Sequence, residues 1–318
     1  MFVVIGSLTA DLLIRADDPA AVAGEDGFRA GNLAFTDTPT TITMGGNGGN
    51  SAYVLGGLGV PTALCSAVGQ DLLGSALLDW LTERSVHVTG ITRSNAHATS
   101  TSTIIMTGPS NQLVFHYPGA YSRVTIDDIP TELLGAATTL LMTSYPIMSG
   151  LRPHGYRTAL AAVRRAGGLT AVDLGPAIAT PVTLAELAPL LPDIDLLIGN
   201  AHELETATGT ASWESAADAL LAAGASRVVI KQGAAGAAVR TATERFHEPG
   251  FPVEAGVSVG AGDSFNAGLL FGLDQNWPID RAVRYGNAVA AMVVGGQGIL
   301  DSPEPAQVDA FLETHPRR

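Results

Sequence analysis

The stretch Gly260-Ala261-Gly262-Asp263-Ser264-Phe265-Asn266-Ala267-Gly268-Leu269-Leu270 decides the fold. A loop of small residues runs directly into an apolar helical pattern. The first turn of any helix leaves backbone N–H groups without intrahelical partners, and the helix dipole adds positive potential at the same end. Together they make an anion site. Gly260 and Gly262 let the backbone approach a phosphate, and Ala261 adds little bulk. Asp263, in the first helical turn, is expected to be kept ionised by the same field. An ionised carboxylate beside an anion hole is suited to taking a proton from an attacking hydroxyl. Taken alone, the four residues read first as an aspartate helix cap after a turn.

Outward from this segment, short apolar runs alternate with longer helical patterns, as in an α/β fold with a largely parallel sheet. Strands are expected at 2–5, 63–68, 140–143, 169–173, 195–198 and 227–231, and helices at 50–58, 72–84, 153–165, 212–223, 264–273 and 281–294. Two regions break the rhythm. Residues 12–44 are acidic and rich in Thr, Asp and Pro. Residues 97–117 hold two β-like runs, 99–106 and 112–116, joined by the turn formers Thr107-Gly108-Pro109-Ser110-Asn111, a hairpin pattern. The two regions are expected to pair as a small accessory sheet.

The chain has 318 residues, 46% hydrophobic and 15% charged, with 17 basic against 30 acidic side chains and a formal charge of −13. Such a balance repels nucleic-acid phosphates and anionic lipid, so neither is an expected partner. Residues 1–8 carry no basic region before their apolar run, and no uninterrupted apolar stretch of about 18 residues occurs, so no signal peptide and no membrane span are expected. Cys65 is the only cysteine, which excludes an internal disulfide and fits a reducing cytoplasm. It lies in an apolar strand and reads as core.

Three further segments carry chemistry. Gly45-Gly46-Asn47-Gly48-Gly49-Asn50 lets the backbone lie against a ligand, and Asn47 and Asn50 can both donate and accept, which suits hydroxyl groups. Asp11, after the first strand, offers two acceptors for neighbouring hydroxyls; alone it reads as a turn aspartate. Lys231-Gln232-Gly233-Ala234-Ala235-Gly236 follows a strand, and Lys231 is the only lysine in the chain. Asn200-Ala201-His202-Glu203 places an amide and a carboxylate three apart, on one face of a helical turn, where they could hold a hydrated Mg2+ near phosphates. The phosphate loop G-x-x-x-x-G-K-[ST] and the dinucleotide pattern G-x-G-x-x-G are absent, and the seven histidines show no metal-ligand pairing.

In this order, residues 45–50, Asn200-x-x-Glu203, Lys231-x-Gly233-x-x-Gly236 and Gly260-Ala261-Gly262-Asp263 resemble PfkB-type carbohydrate kinases of the ribokinase superfamily, from Asp11 to about Gly298. The resemblance implies one ribokinase-like α/β domain over residues 1–318, its central mostly parallel sheet flanked by helices, with a small β-sheet lid at about 12–44 and 97–117. It implies ATP-dependent phosphoryl transfer to a hydroxyl of a small sugar, or in the nearest alternative of a nucleoside. A sugar- or nucleotide-binding relative without catalysis is the third reading. Asp263 resembles the catalytic base, and the N–H groups of Gly260, Ala261 and Gly262 the anion hole. Asp11, Gly45, Gly46, Asn47 and Asn50 resemble substrate contacts. Asn200 and Glu203 resemble the Mg2+/phosphate site, Glu203 on the metal, while Lys231, Gly233, Gly236 and Asn287 fall in the nucleotide-binding region. A homodimer through the lid is expected by the same analogy.

Three departures narrow the expectation. Many relatives carry Asp-Thr ahead of the Gly-Ala-Gly-Asp segment, and that Asp helps form a monovalent-cation site. This chain reads Val257-Ser258-Val259, which speaks against potassium activation. Asp173-Leu174-Gly175-Pro176-Ala177 stands where some relatives have Asp-x-Asn-x-Arg, which speaks against phosphorylated substrates. Thr143-Ser144-Tyr145-Pro146 stands where ribokinases proper have a sugar-binding Glu, which speaks against ribose.

Overall fold

Alternating side chains of the central strands feed two separate cores, and this sets the layering. Phe2 and Val4 pack on one side of the main sheet, Val3 and Ile5 on the other. A strand buried on both faces reads as an unbroken apolar run, as 2–5 does. The computed structural model describes residues 1–15, 36, 38–106, 112–178, 180–254, 259–296 and 298–317.

The strands are β1 (Phe2–Ile5), β2 (Thr9–Arg15), β3 (Thr41–Gly45), β4 (Thr62–Gly69), β5 (His87–Ser94), β6 (Ser100–Met106), β7 (Gln112–Tyr117), β8 (Thr139–Met142), β9 (Leu169–Asp173), β10 (Leu196–Asn200), β11 (Val228–Lys231), β12 (Ala237–Arg240) and β13 (Arg245–Glu248). The helices are α1 (Asn47–Gly57), α2 (Leu72–Glu83), α3 (Thr131–Ala136), α4 (His154–Arg165), α5 (Leu184–Leu187), α6 (Ala201–Thr208), α7 (Trp213–Ala222), α8 (Ala261–Asp274), α9 (Ile279–Gly295) and α10 (Pro305–Thr314). The main sheet runs β13-β12-β11-β10-β9-β8-β1-β4-β5. It is parallel from β11 to β5, and β12 and β13 are antiparallel at its edge. Helices α1, α2, α8, α9 and α10 supply the core on one face, and α4, α6 and α7 pack on the other.

The six strands expected from sequence are all present, two with the expected ends and four with one or both ends moved by one or two residues. Helix α1 begins three residues before its expected start, so residues 47–50 are its first turn and not a loop. The reason is packing: a side chain on Gly48 would come within 2.7 Å of the Gly6 backbone. The glycines serve a close approach of helix to loop. Strand β5 was not expected; Gly90 interrupts its pattern, yet that glycine is needed because a Cβ would meet Cys65 Sγ at 2.7 Å.

The accessory sheet forms in the order β3-β2-β6-β7. It starts at Thr9, ahead of the expected boundary at 12, because β2 grows directly from the loop after β1. The hairpin pairing of β6 with β7 is antiparallel as expected; its turn at 107–111, and most of the segment between β2 and β3, lie outside the described residues. Leu13 and Ile104 are buried on the sheet's inner side, packed with Met106 and Val259. Leu113, Phe115 and Tyr117 alternate along β7 and are half exposed.

Helices α8 and α9 cross at glycine. A Cβ on Gly286 would lie 2.8 Å from the Phe265 carbonyl oxygen, and one on Gly268 would lie 2.9 Å from Gly286 Cα. Overpacking of this kind costs about 1–3 kcal/mol. Gly286→Val is therefore expected to lower the midpoint of a thermal melt; an unchanged midpoint would show that the two helices part freely.

Candidate active site

Parallel strands carry their functional groups at their carboxyl ends, and five neighbouring strands do so here. Ser7 follows β1, Ser144 follows β8, Asp173 ends β9, Asn200 ends β10 and Lys231 ends β11. Helix α8 points its N-terminus at this line. Gly260 precedes it in the left-handed region at φ +83°, a conformation in which glycine is at ease. The first intrahelical bond is Ser264 N–H to Gly260 O at 2.9 Å, so the helix supplies no acceptor for the amides of Ala261, Gly262 and Asp263.

Asp263 sits in that first turn and is 5% exposed. Asn47 Nδ2 donates to its Oδ1 at 2.9 Å and Asn50 Nδ2 to its Oδ2 at 2.8 Å. Burial pushes its carboxyl up to about 6; the Asn50 amide, the Lys231 ammonium and the Asn47 amide pull the other way, and Asp173 adds to the rise. Burial therefore works against the helix field that was expected to keep this acid ionised, and its carboxyl lies above the ordinary aspartate value. Asn47 and Asn50, expected to face substrate, each turn an amide onto Asp263. Asn50 Oδ1 remains buried without a partner.

Lys231 Nζ lies 2.5 Å from Asp173 Oδ2 and 3.2 Å from where a Cβ on Gly262 would stand. The cation is therefore against the first turn of α8. Burial opposes its charge, but Asp173, Glu203 and Asp263 together hold the ammonium above the ordinary lysine value. Asp173 is fully buried and also accepts from Asn266 Nδ2 and from Gly175 N–H.

Asn200 and Glu203 form a reciprocal capping box on α6: Asn200 Oδ1 accepts from Glu203 N–H and Glu203 Oε2 from Asn200 N–H, both at 2.8 Å. This local role absorbs the Asn200 oxygen and one carboxylate oxygen of the expected Mg2+ site. Burial raises the Glu203 carboxyl to about 7, against the pull of Lys231. Among the described residues no cluster of three or more His, Cys, Asp or Glu could hold a metal. Glu203 Oε1, which accepts no bond among the described residues, fits a hydrated Mg2+ held mainly by phosphate oxygens and water.

A cavity of about 530 Å³ opens beside the start of α8, and Lys231, Gly233, Gly236, Ala261, Gly262 and Asn287 all line it. Phe251, Phe265 and Val294 make its walls largely apolar. Nothing lies within 4 Å of a Cβ built on Gly233, whereas one on Gly236 would strike the Glu248 carbonyl at 2.2 Å. Asn287 donates its amide to Glu248 O at 3.1 Å and Pro249 O at 3.2 Å, so it holds the wall in place.

On the opposite side stands Asp11, 4% exposed. It lies on strand β2, not in a turn. Its carboxylate presses on Gly45, where any Cβ would overlap it at 2.1 Å; Gly46, at φ +81°, would strike Ser7 O. Register places Asp11 beside Thr43 and Ser102, and Ser102 beside His116. The row continues through His116, whose Nδ1 is 3.2 Å from Ser102 Oγ and Nε2 2.7 Å from Tyr121 Oη. Burial lifts Asp11 to about 6, opposed by the Ser102 hydroxyl and helped by Asp263. Asp11 Oδ1 is buried without a partner among the described residues.

Sequence reading missed Ser7, Ser144, Asn266, Ser102 and His116. Asn266 follows Asp263 by three and shares its helix face, a usable signal. Ser7 and Ser144 are 137 residues apart, and nothing local marks them. Val257 and Ser258, which bear on potassium, lie outside the described residues.

Residues 1–306 match the family described as pfkB family carbohydrate kinase. The chain is 30% identical over 283 residues to 2-dehydro-3-deoxygluconokinase of Bacillus subtilis, covering 85% of this chain and 86% of that protein. It is 27% identical to the ribokinase of Haemophilus influenzae, covering 98% and 97%. The fold is shared with adenosine kinase from Sinorhizobium meliloti (TM-score 0.83, 23% identity, 99% of both chains) and with Arabidopsis thaliana ribokinase complexed with ribose and ATP (TM-score 0.80, 22% identity, 98% and 97%). With the family spanning nearly its whole length, this chain belongs to the pfkB carbohydrate kinases.

Proposed function

We propose that this chain is a single kinase domain that transfers the γ-phosphate of ATP to a hydroxyl of a small neutral sugar, with Asp263 as base and the backbone amides of Gly260, Ala261 and Gly262 as anion hole. The observation that carries the reading is a buried carboxylate at the N-terminus of the 14-residue helix α8, between an acceptor-rich lid face and a cavity of about 530 Å³. Asp263 takes the hydroxyl proton as that oxygen attacks phosphorus and the bond to the leaving ADP oxygen breaks. The N–H groups and the Lys231 ammonium meet the charge on the phosphoryl oxygens. The apolar cavity walls suit a nucleotide base, with phosphates toward Gly262 and Lys231. Mg2+, when bound, neutralises phosphate charge, and Glu203 is the residue that would hold it.

The substrate class follows from two buried acceptors. Asp11 Oδ1 and Asn50 Oδ1 have no hydrogen-bond donor among the described residues, and an unpaired buried acceptor costs about 1–3 kcal/mol. A ligand with several hydroxyls supplies the missing donors; a phosphate or carboxylate does not. Among the described residues no cation acts on Asp11. A neutral polyol is favoured over the sugar acid for which the Bacillus subtilis relative is named. The apolar inner patch of Leu13, Ile104, Met106 and Val259 favours the nucleoside reading as second.

The test is ADP release with Mg-ATP against neutral pentoses and hexoses, sugar acids, sugar phosphates and nucleosides. Turnover on a neutral sugar is expected, falling about 10²–10⁴-fold in Asp263→Asn. Turnover on nucleosides alone would select the second reading. Silence with every acceptor, while sugars or nucleotides still raise the melting temperature, would leave a non-catalytic binding relative.

The acid limb of the turnover–pH profile is expected near pH 6, because the base must be ionised and its carboxyl is raised to about 6. Stability should move the other way. Folded-state values of Asp263, Asp11 and Glu203 lie above the ordinary carboxyl range, so these three groups bind more protons in the native state than in the unfolded one between about pH 4 and 7. His116, whose imidazole is held below its ordinary value by burial, offsets this in part. Stability is then gained as pH falls through that window. The melting temperature should rise from pH 7.5 to 5 while turnover drops, and Asp263→Asn should flatten the rise. A turnover limb at pH 4 would contradict the assignment.

A further inference from the structure

The amide of Asn47 holds Asp263 with its nitrogen side, and something must keep that amide from turning over. Asn47 Oδ1 accepts a hydrogen bond from Ser144 Oγ at 3.1 Å. Ser144 Oγ is itself 2.8 Å from Ser7 Oγ, 3.1 Å from Thr143 Oγ1 and 3.4 Å from the Ser7 N–H. Ser7 Oγ in turn accepts from the Asn47 N–H at 3.1 Å. Ser7, Thr143 and Ser144 are each 1% exposed or less, so no bulk water competes for these bonds.

The protons in this cluster have one consistent direction. An amide oxygen cannot donate, so the single Ser144 proton goes to Asn47 Oδ1. With that proton committed, the Ser7 hydroxyl donates to Ser144, and its lone pairs receive the Asn47 N–H. Reversing the Asn47 side chain would break this set of bonds and force both serine hydroxyls to turn their protons round. It would also set an amide oxygen against the Asp263 carboxylate.

The backbone at Ser144 supports the same conclusion. It is a non-glycine residue in the left-handed region, at φ +63°, which an L side chain adopts at a cost. Gly175 presses on it from behind: a Cβ there would lie 2.9 Å from Ser144 Cα. A glycine at 144 would take the turn without strain, and what serine adds is the hydroxyl. Strands β1 and β8 are neighbours in the sheet, which is why hydroxyls 137 residues apart in sequence meet beside the site.

We propose that Ser144, set by Ser7, is a positioning residue: its hydroxyl fixes the Asn47 amide so that the NH2 group faces Asp263. This rests on the reading of Asp263 as the base. Ser144 contacts neither substrate nor phosphate in the proposal; it acts through Asn47.

Ser144→Gly separates this role from a structural one, because it removes the hydroxyl and the backbone strain together. The variant is expected to fold and to melt within a few degrees of wild type, because relief of the left-handed strain offsets part of the lost bonds, yet to lose turnover about tenfold at pH 7. The acid limb of its pH profile should move up by roughly half a unit, because the donor that favours the ionised carboxylate is no longer held. Loss of turnover at every pH with an unmoved limb would mean a structural role and would overturn the proposal. Ser7→Ala leaves the turn at 144 untouched and is read by the same two measures, so an unmoved limb there overturns the proposal even if Ser144→Gly does not fold. Asp263→Asn is run alongside. If it is inactive while both serine variants match wild type, only the positioning role fails; if it is fully active, the base assignment fails and the positioning role falls with it.

Discussion

Everything in the site depends on keeping one carboxylate buried at the N-terminus of α8. Water is almost excluded from Asp263, and removing a carboxylate from water is unfavourable unless other groups replace the lost hydrogen bonds. Two asparagine amides from α1 do so, which is why α1 must begin at residue 47 and lie against the loop after β1. That closeness in turn requires glycine at 45, 46 and 48, each of which would otherwise collide with Asp11 or with the β1–β2 connection. A glycine-rich segment that looks like a ligand loop is thus in large part the consequence of a helix seated against its neighbour.

Charge is arranged around the same point. Asp173, Glu203 and Asp263 surround the single lysine of the chain, and burial weakens both raised acids among them, Glu203 and Asp263. Lys231 is tied to Asp173 and pressed on Gly262, so the cation is fixed at the helix end where N–H groups also gather. A cation and helix N-terminus fixed in place need no rearrangement when charge develops beside them. On the other side, the lid contributes Asp11, whose Oδ1 is buried without a donor among the described residues.

Six strands of the main sheet were legible because parallel strands buried on both faces leave unbroken apolar runs, as at 2–5 and 169–173, whereas β5 and the antiparallel edge strands β12 and β13 were not. Asp263 and the cavity residues Lys231, Gly233 and Gly236 were legible because turn glycines and a helix start leave local marks. Asn200 and Glu203 were legible as a pair, although the pair first serves as a cap. The Asn47 and Asn50 orientations were not, since the sequence shows an amide's capacity and not its direction. The row Asp11–Ser102–His116 depends on register between strands about 90 residues apart, and the Ser7–Ser144 contact on two strands meeting edge to edge. Such contacts are set by topology, and a local pattern does not record them.

The central claim is that burial, moderated by two amides and one lysine, holds Asp263 as a weak acid ready to accept a proton. A 13C titration of its side-chain carboxyl, assigned by the signal lost in Asp263→Asn, measures this without any substrate. The account predicts a midpoint at about 6. A midpoint at the ordinary aspartate value near 3.8 would mean that the carboxylate is solvated, and would contradict the account.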